Sequence, residues 1–259
     1  METLTLVYVA AAGLIFGSFF NVVIYRLPRG LNLSRPPSAC PGCGAPIKPY
    51  DNIPLLSYLI LRGKCRRCGR RISPVYPAVE ALTAAGFVLV YLNAGRTIGL
   101  EFIAGCLFTS ALIVLGFIDA RHQVLPDAVT MPGLGLALAY SFFRDDLNFR
   151  GALLGAVGGA GFLLLVYGAY RLIRKKEGLG MGDVTMMLMV GAYLGPARTL
   201  FVLILASFTG ALFGIYLIAR KGKDVQFALP FGTFIAPAAF VAMLWGERIV
   251  RAYLSLYKR

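Results

Sequence analysis

The chain is 259 residues long, 58% hydrophobic and only 15% charged, with a mean hydropathy of +0.72. Too few polar side chains remain to cover a soluble domain of that size, so the composition excludes a water-soluble globular protein and calls for an integral membrane one. A net charge of +14 would suggest nucleic acid in a soluble protein; here the basic residues are confined to segments between apolar runs, which points to the membrane surface and away from nucleic acid.

A spanning helix needs about 20 apolar residues. The first such run, Leu4 to Tyr25, follows Met1-Glu2 with no basic region ahead of it, unlike a cleavable signal peptide. Further runs extend from Val75 to Asn93, Gly99 to Ile118, Leu125 to Phe143, Gly151 to Ile173, Val184 to Leu194, Thr199 to Ala219 and Leu229 to Trp245. The expected fold is therefore all-α and polytopic, with about eight transmembrane helices; the sixth is short and ends at Gly195-Pro196, which suits a partial or tilted helix. The chain divides into a first transmembrane helix (1–25), a polar segment (26–74) and a transmembrane remainder (75–259).

The polar segment sets the orientation. From Arg26 through Arg62, Lys64, Arg66, Arg67 and Arg70 to Arg71 it opposes many bases to one acid, Asp51, so the positive-inside rule makes it cytoplasmic. Alternation then makes the connections around Arg121, Arg174 to Lys176 and Arg220 to Lys223 cytoplasmic too. The basic tail (Arg248, Arg251, Lys258, Arg259) disagrees, since it would end outside.

That segment also holds Cys40-Pro-Gly-Cys43 and Cys65-Arg-Arg-Cys68, each pair followed by a glycine, Gly44 and Gly69. Close turns of this kind aim two thiolates at one tetrahedral metal, and four thiolates favour Zn²⁺ or iron over hard cations. Two disulfides are the alternative, disfavoured in the cytoplasm. Four protein ligands leave no open position, so the site reads as structural, and a domain of about 50 residues would be folded largely by its metal. Cys106, alone in an apolar run, reads as a small buried residue.

Two carboxylates stand at the edges of apolar runs: Asp119, in GFIDARHQVLPD, and Asp183, in GLGMGDVTMML. A charge near the bilayer costs at least a few kcal/mol, so such residues usually line a cavity or do chemistry. The topology puts Asp119 at the cytoplasmic end of the third helix and Asp183 at the cytoplasmic start of the sixth, at one depth on one face. Two neighbouring carboxylates share a proton, the arrangement by which aspartic proteases activate water and polarise a scissile carbonyl. Considered alone, Asp183 reads equally well as a helix N-cap. Gly178, Gly180 and Gly182 before it can admit an extended peptide beside the acid; as a nucleotide loop the run lacks the preceding strand and the P-loop lysine. Asp127, after Leu125-Pro126, reads as a first-turn acid and is the rival for the catalytic role. His122, the only histidine, has no nucleophile motif to serve and reads as a loop-surface residue. Glu80, in YPAVE, reads either as the partner of an arginine or as a substrate or cofactor contact.

These motifs together resemble the bacterial type IV prepilin peptidases. The resemblance runs through GSFFNVVIYRLP (Gly17 to Pro28), the paired CxxC, NIPLLSYLILRGKCRRC (Asn52 to Cys68), YPAVE (Tyr76 to Glu80), FIDARHQVLPD (Phe117 to Asp127), GMGD (Gly180 to Asp183) and LPFGTFIAP (Leu229 to Pro237). It implies a GxGD-type intramembrane aspartic protease of the bacterial inner membrane with Asp119 and Asp183 as its dyad. It implies cleavage of the basic leader of prepilins and pseudopilins after a glycine on the cytoplasmic side. It further implies N-methylation of the new N-terminus from S-adenosylmethionine, and a zinc-binding cytoplasmic domain. The chain departs from the family pattern at Val75, where an arginine commonly precedes Tyr-Pro; at Thr185, where a lysine often follows GxGD; and at Thr233, where a second proline usually closes PFGP. Leader and cytoplasmic face are both basic, so the basic segment is better suited to anionic lipid headgroups, and Asp127, Glu177 and Asp224 are the acids available to a leader. Two other classes fit less well: an ion-coupled transporter, for which no internal repeat is seen, and a secretion scaffold, which leaves the carboxylates unexplained.

Overall fold

A computed structural model describes residues 2–175, 180–221 and 229–256. Its helices follow in the order α1 (Glu2–Arg26), α2 (Leu56–Ile60), α3 (Val75–Asn93), α4 (Leu100–His122), α5 (Asp127–Tyr140), α6 (Phe149–Arg174), α7 (Met181–Leu194), α8 (Pro196–Lys221) and α9 (Gly232–Leu256). Among the described residues there is no β-strand, only two isolated bridges, Ala39 with Pro46 and Lys64 with Arg71.

Among the described residues six helices are long and apolar enough to cross a membrane: α1, α3, α4, α6, α8 and α9. The expected number of eight is corrected accordingly. The stretches Leu125 to Phe143 and Val184 to Leu194 yield the 14-residue helices α5 and α7, each about 21 Å long against a hydrocarbon core of about 30 Å. Pro126 delays the start of α5 and a turn at Ser141 ends it; Gly195-Pro196 stops α7, because proline cannot continue the preceding turn.

The chain forms two compact units, Met1–Val114 and Leu115–Arg259. In the first, α1 lies along α3. Lipid tails are as apolar as leucine, so helices in a bilayer gain mainly from close backbone approach. Gly13 and Gly17, one turn apart on α1, provide it: a Cβ at either would fall 2.5 Å from Ala84 Cα or 2.7 Å from Glu80 Cα. Buried Asn21 adds a polar tie, its Nδ2 donating to Tyr76 O at 3.0 Å. Beyond α1 the Arg26 guanidinium donates to Asn32 O at 2.9 Å and Pro36 O at 2.6 Å, folding the chain back into the cysteine segment.

In the second unit α7 is packed against α5, α6, α8 and α9. Met186, Met187, Met189 and Val190 are all fully buried. The α6 contact is backbone on backbone, since a Cβ at Gly191 would lie 2.2 Å from Gly155 O. At the far end of α7, Arg144 lies over the rings of Tyr140 and Tyr193 at 5.0 and 5.5 Å. Its guanidinium donates to Tyr193 O and to Asp146, which also accepts from Arg198. Partial burial alone would push the Asp146 carboxyl up, but the Arg144 and Arg198 guanidiniums outweigh it and hold the group down at about 2. At the end of α9, Arg251 is paired with Glu247, while Lys258 and Arg259 lie outside the described residues.

Candidate active site and metal centre

Asp119 occupies the last turn of α4 and is buried. Its Oδ2 accepts from Thr233 N at 2.7 Å and from Thr233 Oγ1 at 3.1 Å, both in the first turn of α9. Asp183 is also buried. The helix cap is Gly180, not Asp183, which stands three residues in and reaches back so that its Oδ2 accepts from Gly180 N at 3.2 Å. The N-cap reading is thus replaced by this reach-back bond. The other oxygen, Asp183 Oδ1, is buried with no hydrogen-bond partner. The Asp119 charge and the Gly232 N–H both act on the Asp183 carboxyl. Two acids 64 positions apart in sequence are thus brought close enough for one charge to act on the other, at the end of α4 and the start of α7. For this to happen α5 and α6 must run out and back, and so must α7 and α8, short as α5 and α7 are.

Leu125, which sequence reasoning treated only as part of an apolar run, is the packing centre here. A Cβ at Gly182 would fall 2.8 Å from Leu125 Cβ, and one at Gly232 would fall 2.9 Å from Leu125 Cδ1 and 3.0 Å from Asp119 Oδ2. The space left by Gly182 is thus filled by Leu125. These two glycines let three chain segments converge at the acids, and Gly180 has an extended backbone where no positive φ is needed.

The remaining acids stand apart. Asp127 is exposed at the first residue of α5, where the helix dipole favours it, and accepts from Thr130 Oγ1 at 3.4 Å. His122 is half-buried at the end of α4. Gly178, Glu177 and Asp224 lie outside the described residues. Glu80 is buried in α3 and its Oε2 accepts from Leu55 N at 2.8 Å. Among the described residues it pairs with no arginine; it holds the loop before α2, where Leu55 adopts a positive φ of 58°. A backbone N–H partner of this kind leaves no trace in a sequence.

The four cysteines come together as their spacing suggests. The sulfurs of Cys40, Cys43, Cys65 and Cys68 all lie within 4.8 Å of one another, and none is in a disulfide. Both pairs use one turn: Gly44 N donates to Cys40 O and Gly69 N to Cys65 O, each at 2.9 Å. The two glycines sit at φ values of +67° and +68°, where a side chain would be strained. The Cys40–Cys68 sulfur separation of 3.8 Å matches the edge of a tetrahedron with metal–sulfur bonds of about 2.3 Å, and far exceeds a disulfide bond of about 2.05 Å. The N–H groups of Gly42 and Cys43 bring the Cys40 thiol down to about 6. The Arg70 N–H lowers Cys68, but desolvation and the three neighbouring sulfurs outweigh it and push that thiol up to about 11. Four cysteine sulfurs within 4.8 Å of one another, presented by two matching turns, are a donor set that fits one tetrahedral metal. Arg66 clamps the module from outside, donating to both Asp51 oxygens and lowering that carboxyl.

Comparison with known proteins identifies the family. Residues 11–94 match the bacterial peptidase A24 N-terminal domain and residues 106–215 match the type IV leader peptidase family. A protein of Aeromonas salmonicida called prepilin leader peptidase/N-methyltransferase is 39% identical over 267 aligned residues, spanning 93% of this chain and 91% of its own. One of the same name from Pseudomonas aeruginosa is 38% identical, spanning 94% and 91%, and one from Klebsiella pneumoniae is 43% identical, spanning 76% and 88%. No solved structure matches. With two family domains in sequence and relatives of this similarity along nearly the whole length, the chain belongs to the type IV leader peptidase family.

Proposed function

We propose that the chain is a membrane aspartic endopeptidase that removes the basic leader of type IV prepilins and pseudopilins after a glycine, with Asp119 and Asp183 as its dyad, and that it N-methylates the new N-terminus. It is a multi-pass membrane protein; we place it in the bacterial inner membrane, with the cysteine module and the dyad on the cytoplasmic side. The observation that carries the dyad is Asp183 Oδ1, a buried carboxyl oxygen without a protein partner beside a second buried carboxyl. Such an atom is costly unless it faces a water, a substrate group or a shared proton.

The chemistry follows from the two environments. Asp119, whose Oδ2 already accepts two hydrogen bonds, serves as the base that takes a proton from the attacking water. Asp183 holds the proton of the pair on Oδ1 and donates it toward the scissile carbonyl oxygen as negative charge develops there. The water oxygen bonds to the carbonyl carbon, and breakdown of the tetrahedral intermediate returns a proton to the leaving amine. The apparent titration belongs to the pair.

Zn²⁺ is the metal that Cys40, Cys43, Cys65 and Cys68 would hold, and it would supply folding energy rather than chemistry. The methyl donor is S-adenosylmethionine. Glu80 is a candidate contact for it, and its carboxylate already accepts from Leu55 N, so no methyl-transfer step is assigned to it. Anionic lipid headgroups are the partners of the basic segment.

Asp119→Asn and Asp183→Asn, assayed separately on a purified prepilin in detergent, test the dyad. Each should abolish cleavage while leaving a monodisperse, folded protein; cleavage retained by either variant refutes the assignment. Zinc content should fall in Cys40→Ser and Cys65→Ser. Glu80→Gln separates its two readings: a loop anchor keeps methylation, because an amide oxygen still accepts from Leu55 N, and a methyl-donor contact loses it.

A further inference from the structure

The segment between α1 and α3 is polar as a whole, but its middle is not. Residues 53–61 read Ile-Pro-Leu-Leu-Ser-Tyr-Leu-Ile-Leu, and Ile53, Leu56, Leu59 and Ile60 are all exposed, Leu59 by 71%. Apolar side chains grouped in this way on a surface mark a site of contact with something apolar. The polar groups of the same residues turn inward. The N–H groups of Leu56, Ser57, Leu59 and Leu61 donate to carbonyls within the segment; Ile53 N donates to Ser57 Oγ at 3.0 Å, and that hydroxyl donates to Tyr50 O at 2.9 Å. Leu55 N donates to Glu80 Oε2 at 2.8 Å. An apolar exterior over a backbone whose donors are satisfied from within suits a medium that offers no hydrogen bonds.

The Glu80 bond also fixes the depth of the segment. α3 is a spanning helix of 19 residues, about 28 Å long against a hydrocarbon core of about 30 Å, so it has no turn to spare outside the bilayer. Glu80 lies five residues past Val75, the first residue of α3, or about 7.5 Å along the axis. Leu55 and the start of α2 are therefore level with the outermost turns of a membrane helix. Bases flank the apolar group: Lys48, Arg62, Lys64 and Arg67 are exposed. The exposed ring of Tyr50 has Lys48 Nζ 5.5 Å and the Arg66 guanidinium 5.7 Å from its centroid. Apolar side chains bordered by a tyrosine and by cations are the composition of a segment lying at a membrane–water interface.

We propose that residues 53–61 are an interfacial foot: Ile53, Leu56, Leu59 and Ile60 enter the boundary between headgroups and acyl chains of the bilayer that α1 and α3 cross, with the flanking bases reaching up to the headgroups. The inference rests on the reading of the basic segment as a partner of anionic lipid. The foot seats the cysteine module. Lys64 N donates to Leu61 O at 3.0 Å and Ile72 N to Gly63 O at 2.7 Å, so the second knuckle, Cys65 to Cys68, is tied directly to the end of the foot. The module is then fastened to the membrane through α1, through the foot and through α3, and its metal site is held at the bilayer surface.

Trp245 is the only tryptophan, so Leu59→Trp and, separately, Ile60→Trp in a Trp245→Phe background place a single indole on the foot. Each full-length protein, matched to the parent in zinc content and monodispersity, goes into nanodiscs that hold one molecule each and contain phosphatidylcholine and phosphatidylglycerol. An indole seated in the boundary should lose more than about half of its emission to lipid brominated near the headgroup end of the acyl chain, and less to lipid brominated near the chain terminus. Aqueous acrylamide should quench it less than about half as well as it quenches free tryptophan amide. Discs of phosphatidylcholine alone test the headgroup reading separately: lipid quenching should weaken there, whereas unchanged quenching upholds the foot and refutes the preference for anionic lipid. Strong acrylamide quenching with no lipid quenching in either disc overturns the foot, because the segment then stands in water. An indole shielded from both quenchers overturns it as well, because the face is then covered by protein.

Discussion

The backbone contact between α6 and α7 makes Gly191→Ala a sharp test of how Asp183 is held. The new Cβ would fall 2.2 Å from Gly155 O, 2.5 Å from Gly155 C and 2.8 Å from Ala156 N. All three are backbone atoms, so no side chain can swing aside. Ordinary contact begins near 3.4 Å, and α7 would have to back away from α6 by roughly 1 Å. Overpacking of this kind costs about 1–3 kcal/mol. Asp183 lies eight residues earlier on the same short helix, about 12 Å along its axis, and a rigid helix carries the displacement to it. A 1 Å misplacement of a catalytic group can cost about a hundredfold in rate. Gly191→Ala should therefore lower both the melting temperature in detergent and the prepilin cleavage rate, the latter by about ten- to a hundredfold. Gly158→Ala on α6 is the matched control: nothing lies within 4 Å of its Cβ, and alanine favours the helix by up to about 1 kcal/mol. Parental rate and melting temperature in Gly191→Ala, or equal damage from Gly158→Ala, would refute the reasoning.

Three further outcomes follow from the geometry. The Asp146 carboxyl, held down at about 2 against an ordinary value near 3.9, adds stability that is complete above the ordinary value and fades as pH falls toward 2. Asp146→Asn should then lower the melting temperature at pH 7 and differ progressively less from the parent below about pH 4; a deficit that does not change with pH would contradict this. Glu80→Leu strands Leu55 N and should destabilise the first unit by about 1–3 kcal/mol, visible as faster proteolysis around residues 50–60, whereas Glu80→Gln should not. Metal removal by a strong chelator should open the segment from Arg35 to Arg71 to trypsin while leaving the helices folded by circular dichroism; a segment equally resistant without metal would show that the knuckles fold unaided.

What the sequence made legible was what is local. The cysteine module could be read because each ligand pair and its glycine lie within five residues, and Gly44 and Gly69 adopt the turn that this spacing suggests. The long apolar runs became helices with ends close to those expected, except α9, which continues from Trp245 to Leu256 through a stretch too polar for hydropathy to include. The two too short to span, α5 and α7, are defined by Pro126, Ser141 and Gly195-Pro196; the apolar run overstated α5, whereas α7, expected to be short, starts three residues before Val184. Topology brought Asp119 and Asp183 to one face but left Asp127 a rival that only the family resemblance set aside; its exposed place at the start of α5 is a tertiary feature. Backbone donors could not be foreseen. Thr233 N on Asp119 and Leu55 N on Glu80 join residues 114 and 25 positions apart, and neither donor is a side-chain property. The role of Gly182 was also misread from sequence: its lack of a side chain makes room for Leu125, a neighbour that only the tertiary structure supplies.

The enclosure of α7 bears on how the protein is made. A 14-residue helix is too short to partition stably into a bilayer alone, and it is surrounded by α5, α6, α8 and α9. Two of those four follow it in the chain, so the helix bearing Asp183 can reach its final place only after the ribosome has delivered α9. The acidic pair can thus form only once α9 has joined the bundle, and chains truncated before α9 should lack prepilin cleavage.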